Sequence, residues 1–337
     1  MSFWKHRRVL VTGGGGFIGR NLVAKLLEQN ASVRVAENFE RGMPANLAPL
    51  RDQIEIAEGD LRDAAVCGRA CDGVEAVFHL ASKVGSSDFY RRFPADVVLH
   101  NFMLDAQMLE AARRCRVSRY LHVSSAFIYP VERQLEPDAA PLREEEAYPP
   151  NPANSYGWAK LMAEKALEYT VAQESDLRGV ILRFSNIYGP HQSIDLERGS
   201  IVPVLVRRAV EYPQVQPFSI RGNGQETRTY CYVSDAVEAM LRAMEKLDTQ
   251  RLVGPLNIGS EEKIRIIDLA RRVIAVSGKD IELVTLPAPP PVTQSQTLDC
   301  SKAREVLGGW QPNVNLHEGL RRLYRYVEGE LNGSLGH

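Results

Sequence analysis

A chain of 337 residues with 44% hydrophobic and 25% charged residues is long enough to fold unaided around one large core or a core with a smaller companion. Its formal net charge of −1 lacks the cationic excess that nucleic acid or an anionic membrane would favour, so no nucleic acid and no membrane is expected as a partner. No apolar run approaches the roughly 20 residues that cross a bilayer, and the start "MSFWKHRRVLVTG" has no signal-peptide pattern; a cytoplasmic protein is expected.

In chain order, short runs rich in Val, Ile and Phe alternate with helical stretches. The strand "RRVLVTG" comes first, then a glycine loop, a helix over 21–29, the strands "SVRVAEN", "QIEIAEGD" and "EAVFHLAS", and a helix over 97–114. The strands "RYLHVSS" and "RGVILRF" follow, separated by a helix that opens at "YGWAK". This alternation predicts an α/β fold with a doubly wound parallel sheet, in which helices cover both faces and the strands are apolar throughout. After residue 186 the connections become rich in Pro and Gly ("YGPHQ", "RGNGQ", "LPAPPPVTQ") and the elements shorter. Residues 1–185 are therefore assigned to the first domain, with 228–260 returning to it, and residues 186–227 and 261–337 to a smaller substrate-binding lobe. The five cysteines (67, 71, 115, 231 and 300) are odd in number and without metal-ligand pairing, which predicts buried free thiols and no metal.

Two features carry chemistry. "VTGGGGFIG" places Gly13, Gly16 and Gly19 between the first strand and its helix, where glycines allow a tight turn and a close approach of pyrophosphate to the helix N-terminus. Glu37 ends the second strand, 18 residues past Gly19, about where a carboxylate accepts hydrogen bonds from an adenosine ribose. That carboxylate would repel a 2′-phosphate, so NAD is favoured over NADP, with Arg41 the one residue against it. Further on, Tyr156 and Lys160 lie four apart on one helix face, downstream of a strand ending in Ser124 and Ser125. An ammonium beside a phenol favours phenolate, so Tyr156 is expected to act as general base, with Ser125 sharing the substrate proton.

Taken together and in this order, these residues resemble an extended short-chain dehydrogenase/reductase of the NAD-dependent epimerase/dehydratase family. The match runs through "TGGGGFIG", "HLAS", "SSAFIY", "YGWAK", "RFSNIYGP", "GNGQETRTYCYVSD", "PLNIGS" and "DCSKAREVLGGWQP". The resemblance implies a Rossmann-type fold, NAD as cofactor, a nucleotide-sugar substrate and Ser125, Tyr156 and Lys160 as the catalytic set. It implies cofactor contacts from Gly13, Gly16, Phe17, Ile18, Gly19, Glu37, Asn38, Asp60, Leu61, Leu80, Ala81, Ser82, Lys83, Asn101, Tyr156 and Lys160. Ser125, Asn186 and Arg228 are implied for the substrate, and a homodimer through helices 97–114 and 156–174.

Two departures narrow the reaction. The segment "SSAFIYP" resembles the "SSACIYP" of the GDP-mannose 3,5-epimerase subfamily, but Phe127 replaces its acid/base cysteine, and "HQSIDLERGS" lacks its lysine, leaving His191, Asp195 and Glu197 as the nearby candidates. Decarboxylases and 4,6-dehydratases place a carboxylate where Phe127 stands. The expected reaction is therefore C4 epimerisation through a transient keto sugar with hydride returned from NADH. The alternatives are a 3,5-epimerase, a 4-keto reductase, a UDP-glucuronate decarboxylase-like enzyme and a non-catalytic NAD-binding protein. Gln294 and Gln296 stand where the family usually supplies an arginine for the diphosphate.

Overall fold

The computed structural model describes residues 2–173, 176–288 and 292–334; Glu174 and part of the "PAPPP" run lie outside them. Strands β1 (Arg8–Thr12), β2 (Ser32–Glu37), β3 (Ile54–Glu58), β4 (Ala76–His79), β5 (Arg119–Ser125) and β6 (Arg178–Phe184) alternate with helices α1 (Phe17–Glu28), α2 (Pro44–Leu47), α3 (Ala64–Cys71), α4 (Ser87–Arg92), α5 (Pro94–Arg114) and α6 (Ser155–Gln173). Beyond them come β7 (Asn186–Tyr188), α7 (Ile201–Val210), β8 (Ser219–Arg221), β9 (Thr227–Arg228), β10 (Tyr230–Tyr232), α8 (Val233–Lys246) and β11 (Leu252–Ile258). The chain closes with β12 (Ile264–Arg265), α9 (Ile266–Ser277), β13 (Val284–Leu286), β14 (Ser295–Gln296), α10 (Ser301–Val306) and α11 (Leu316–Ser334).

Seven parallel strands form one sheet in the order β11-β6-β5-β4-β1-β2-β3. Side chains alternate across it, which explains why the strands are apolar without interruption. Val9, Val11, Val33, Val35 and Phe78 belong to the core that continues into α8, α9 and α11. Leu10, Ala36, Val77, Tyr120 and Ile181 belong to the second core, shared with α3, α5 and α6. This is the Rossmann-type α/β architecture expected from the alternation. Helix α1 starts at Phe17, four residues before the apolar pattern announces it.

The strands after residue 186 are two or three residues long, except β11, which pairs with β6 at the edge of the main sheet. The others form a three-stranded sheet β12-β9-β14 and two pairs, β10-β7 and β13-β8. All five cysteines are free, four of them buried, and burial pushes the Cys67, Cys71 and Cys300 thiols up to about 12, which keeps them inert. Among the described residues no helix is long and apolar enough to cross a membrane.

Candidate active site

The strand order reverses between β1 and β4, and in an open parallel sheet the crevice beyond the carboxyl ends of the strands at such a point is where ligands bind. The sequence-derived residues collect at that end. Gly13 to Gly19 follow β1, Glu37 ends β2 and Asn38 follows it, Asp60 and Leu61 follow β3, Leu80 to Lys83 follow β4, and Ser125 ends β5.

The glycine loop is shaped by contacts that a side chain would block. Gly13 has φ +68°, and a Cβ there would press on the Ala81 backbone; a Cβ on Gly19 would overlap the Gly13 carbonyl. Gly16 stands at the N-terminus of α1 and offers it no side-chain cap, so the helix's first N–H groups and the positive end of its dipole suit a pyrophosphate. Glu37 is buried rather than a solvated turn residue, and it accepts hydrogen bonds from the backbone N–H groups of Gly15, Asn38 and Phe39 at 3.0–3.2 Å. The second strand is thereby tied to the loop. Arg41 donates to the Val84 carbonyl. The Asp60 carboxylate pairs with Arg62, whose hydrogen bonds hold it below the usual carboxylate range.

Past β4, the Thr12 hydroxyl accepts from the N–H groups of Leu80 and Ala81 at 3.1 and 3.0 Å. Asn101, fully buried on α5, accepts from the Ser82 hydroxyl and the Lys83 N–H at 2.8 Å each, and donates to the Lys83 and Val97 carbonyls. The segment 80–83 is therefore fixed from both sides. Neither Thr12 nor this double anchor was read from the sequence, although Asn101 sits on the buried stripe of α5 with Val97, Leu104 and Met108.

Ser125 caps the turn after β5, its Oγ accepting from the Phe127 N–H at 3.2 Å. Ser124, one residue earlier and so on the other side of the strand, donates to Glu164. Helix α6 packs closely on the 126–128 turn because Gly157 has no side chain: a Cβ there would overlap the Phe127 carbonyl oxygen. The glycine of "YGWAK" thus serves to seat the helix. Phe127 packs edge-on to Tyr156 and to Tyr90 of α4, with ring centres 6.1 and 5.9 Å apart, and Tyr90 stacks on Tyr156 at 5.3 Å and 9°. The phenol stands in an aromatic corner.

Burial pushes the Tyr156 phenol above its ordinary value; the Ser82 hydrogen bond opposes this and the nearby Asp105 carboxylate adds to it. Lys160 is buried too, its Nζ 3.7 Å from Asp105 Oδ1 and 5.9 Å from the centre of the Tyr156 ring. The expectation that Lys160 alone would acidify Tyr156 is thus modified, because a buried carboxylate answers its charge. In the second part of the chain, Asn186 donates to the Thr229 carbonyl. Arg228 donates to the carbonyls of Thr227, Thr293 and Gln294. Gln296 is buried opposite Arg228 in the β14–β9 pair. A surface cleft of about 280 Å³ lies elsewhere, between the 259–262 turn and residues 310–315, and none of the proposed site residues lines it.

The profile of the NAD dependent epimerase/dehydratase family matches residues 9–259. The chain belongs to that family. As an NAD-dependent epimerase/dehydratase it takes NAD as its cofactor, and the uncapped α1 N-terminus, the glycine cradle and Glu37 suit that group. It is 29% identical to GDP-mannose 3,5-epimerase of Arabidopsis thaliana over 98% of this chain and 85% of that protein. It is 32% identical to UDP-glucuronic acid decarboxylase 6 of the same plant, over 94% and 88%. Among solved structures, UDP-glucose 4-epimerase of Thermotoga maritima, determined with UDP-glucose, superposes with a TM-score of 0.85 at 31% identity, covering 96% of this chain and 99% of that one.

Proposed function

We propose that this protein epimerises a nucleotide sugar at C4. Tyr156 takes the proton from the sugar hydroxyl, and Ser125, whose Oγ already accepts from the Phe127 N–H, donates to the same oxygen. NAD held by the Gly13–Gly19 loop and Glu37 would supply the hydride acceptor for the carbon that carries the hydroxyl and the hydride donor to either face of the ketone. The observation that carries the reading is Phe127: its ring packs against Tyr156 and Tyr90, and it cannot exchange a proton at a second carbon. A 4-epimerase needs no such exchange. Likeness along nearly the whole chain to a UDP-glucose 4-epimerase supports the reading. Asn186 and Arg228 are proposed to meet the substrate's phosphates, for which Arg228 would exchange its present carbonyl partners.

The runner-up, exchange at C3 and C5, is favoured by the 29% identity to a GDP-mannose 3,5-epimerase. It would have to recruit groups with other occupations. His191 bonds to the Tyr326 hydroxyl at 3.2 Å, and Asp195 caps its own turn through the N–H groups of Glu197 and Arg198. An NMR time course in D₂O with NAD and a panel of UDP-, GDP-, CDP- and dTDP-sugars separates the two. Interconversion without deuterium uptake is expected; deuterium at C3 or C5 would replace our reading by the runner-up, and silence across the panel would overturn both.

We also propose that the protein pairs with a second copy through α5 and α6. These helices expose Leu99, Phe102, Met103, Trp158, Met162 and Tyr169 on the surface, an apolar concentration unusual for a monomer. Sedimentation velocity is expected to give twice the chain mass, and Met162→Glu with Phe102→Glu to give the single chain. A wild-type monomer at micromolar concentration would refute the pairing.

A further inference from the structure

Behind the proposed catalytic pair lies a buried polar cluster that the reaction as derived does not use. Asp105 of α5, His79 at the end of β4, His122 of β5 and Lys160 of α6 are all buried, and each comes from a different element. Thr12 Oγ1 lies 2.9 Å from His79 Nδ1, and His79 Nε2 lies 2.9 Å from Asp105 Oδ1. Because the Thr12 oxygen already accepts two backbone N–H groups, its proton goes to His79 Nδ1. His79 therefore carries its own proton on Nε2 and donates it to Asp105.

The charges follow from these bonds. Burial holds both His79 and His122 below their ordinary values, so both rings are neutral. Tyr120, also facing Asp105, is kept protonated by burial. Glu164, the other carboxylate near Lys160, is committed to Arg183 at 2.7 Å and to Ser124. Asp105 is left as the negative partner of the Lys160 ammonium. The ligand atoms of His79, Asp105 and His122 do lie within 4.8 Å of one another, but an ammonium in contact with the carboxylate already supplies the positive charge there.

We infer that Asp105 is a positioning residue for the proton-transfer pair: it fixes Lys160 as a buried ammonium beside Tyr156 and answers that ammonium's charge. This rests on the proposed role of Tyr156 and Lys160. A lysine buried without a partner tends to lose its proton, and a carboxylate close to a phenol opposes phenolate; Asp105 prevents the first and imposes the second.

The test is the pH profile of kcat/KM for Asp105→Asn, an isosteric change, measured with saturating NAD and with UDP-glucose or whichever panel sugar is interconverted. The acid limb is expected to move to lower pH by about one unit or more, with a lower maximum because Lys160 is less firmly held. A profile that is merely lower, with both limbs unmoved, would overturn the inference. A thermal-unfolding cycle needs no substrate. Lys160→Met leaves the Asp105 charge buried without its cation, with only the His79 hydrogen bond, and should lower Tm sharply, whereas Lys160→Met combined with Asp105→Asn should recover most of the loss. Simple additivity of the two changes would count equally against it. If the unfolding cycle shows coupling while Tyr156→Phe keeps full turnover, the catalytic reading fails and the pairing survives as a structural one.

Discussion

Tyr156→Phe is expected to bind NAD as the wild type does and to lose turnover by about 10²- to 10⁴-fold, the range that a positioned acid or base supplies. The substitution removes one oxygen and keeps the ring, so the stacking on Tyr90 and the edge contact with Phe127 remain. Only the hydrogen bond to Ser82 and the proton transfer are lost. NAD affinity from fluorescence titration and turnover from coupled or NMR assay together decide the matter. Unchanged turnover would remove Tyr156 from the mechanism and, with it, the function proposed above.

The second large effect is on stability. Arg183 of β6 is fully buried and donates to both oxygens of Glu164, also fully buried on α6, at 2.7–3.3 Å. Its remaining nitrogen donates to the Tyr129 hydroxyl and the Glu144 carbonyl. Tyr129 in turn donates to Asn257 of β11, whose amide reaches the Leu142 and Asp299 carbonyls. One guanidinium thus joins β6, α6, β11 and the 129–147 connection. Arg183→Met should cost about 3–5 kcal/mol, because it strands the Glu164 carboxylate in the core without its cation, with only the Ser124 hydroxyl left to it. Urea unfolding at neutral pH measures the deficit; a value under about 1 kcal/mol would mean that the pair contributes little.

What could be read in advance follows a physical line. Near-continuous apolar strands spaced by helices are dictated by a sheet covered on both faces, so β1 to β6 and their order along the chain were plain. The start of α1 was not, because "FIG" belongs to the glycine loop by composition and to the helix by hydrogen bonding. Short strands such as β9 and β14 carry too few residues for any period to show. The Asp105–Lys160 pair joins residues 55 apart in sequence, which no local pattern brings together. A signal was nevertheless present. Asp105 falls on the same buried stripe as Asn101, Leu104 and Met108, and Glu164 on that of Tyr156, Lys160 and Leu167. A charged residue on an apolar helix stripe demands a buried partner, and searching for that partner would have led to both networks. Phe127 was legible as a residue unable to transfer protons, but its packing on Tyr90 was not, since α4 lies outside any motif.

The position of β11 has a practical consequence for dissecting this chain. It is the outermost strand of the main sheet, yet it arrives only at residues 252–258, after the 186–228 segment has already left the sheet. A fragment cut at residue 185 would keep the loops after β1 to β4 that are proposed to hold NAD but leave the long, apolar β6 with an open ladder of N–H and C=O groups. Such a bare edge invites strand addition from another copy and aggregation. A soluble cofactor-binding fragment would need residues 230–260 spliced back on.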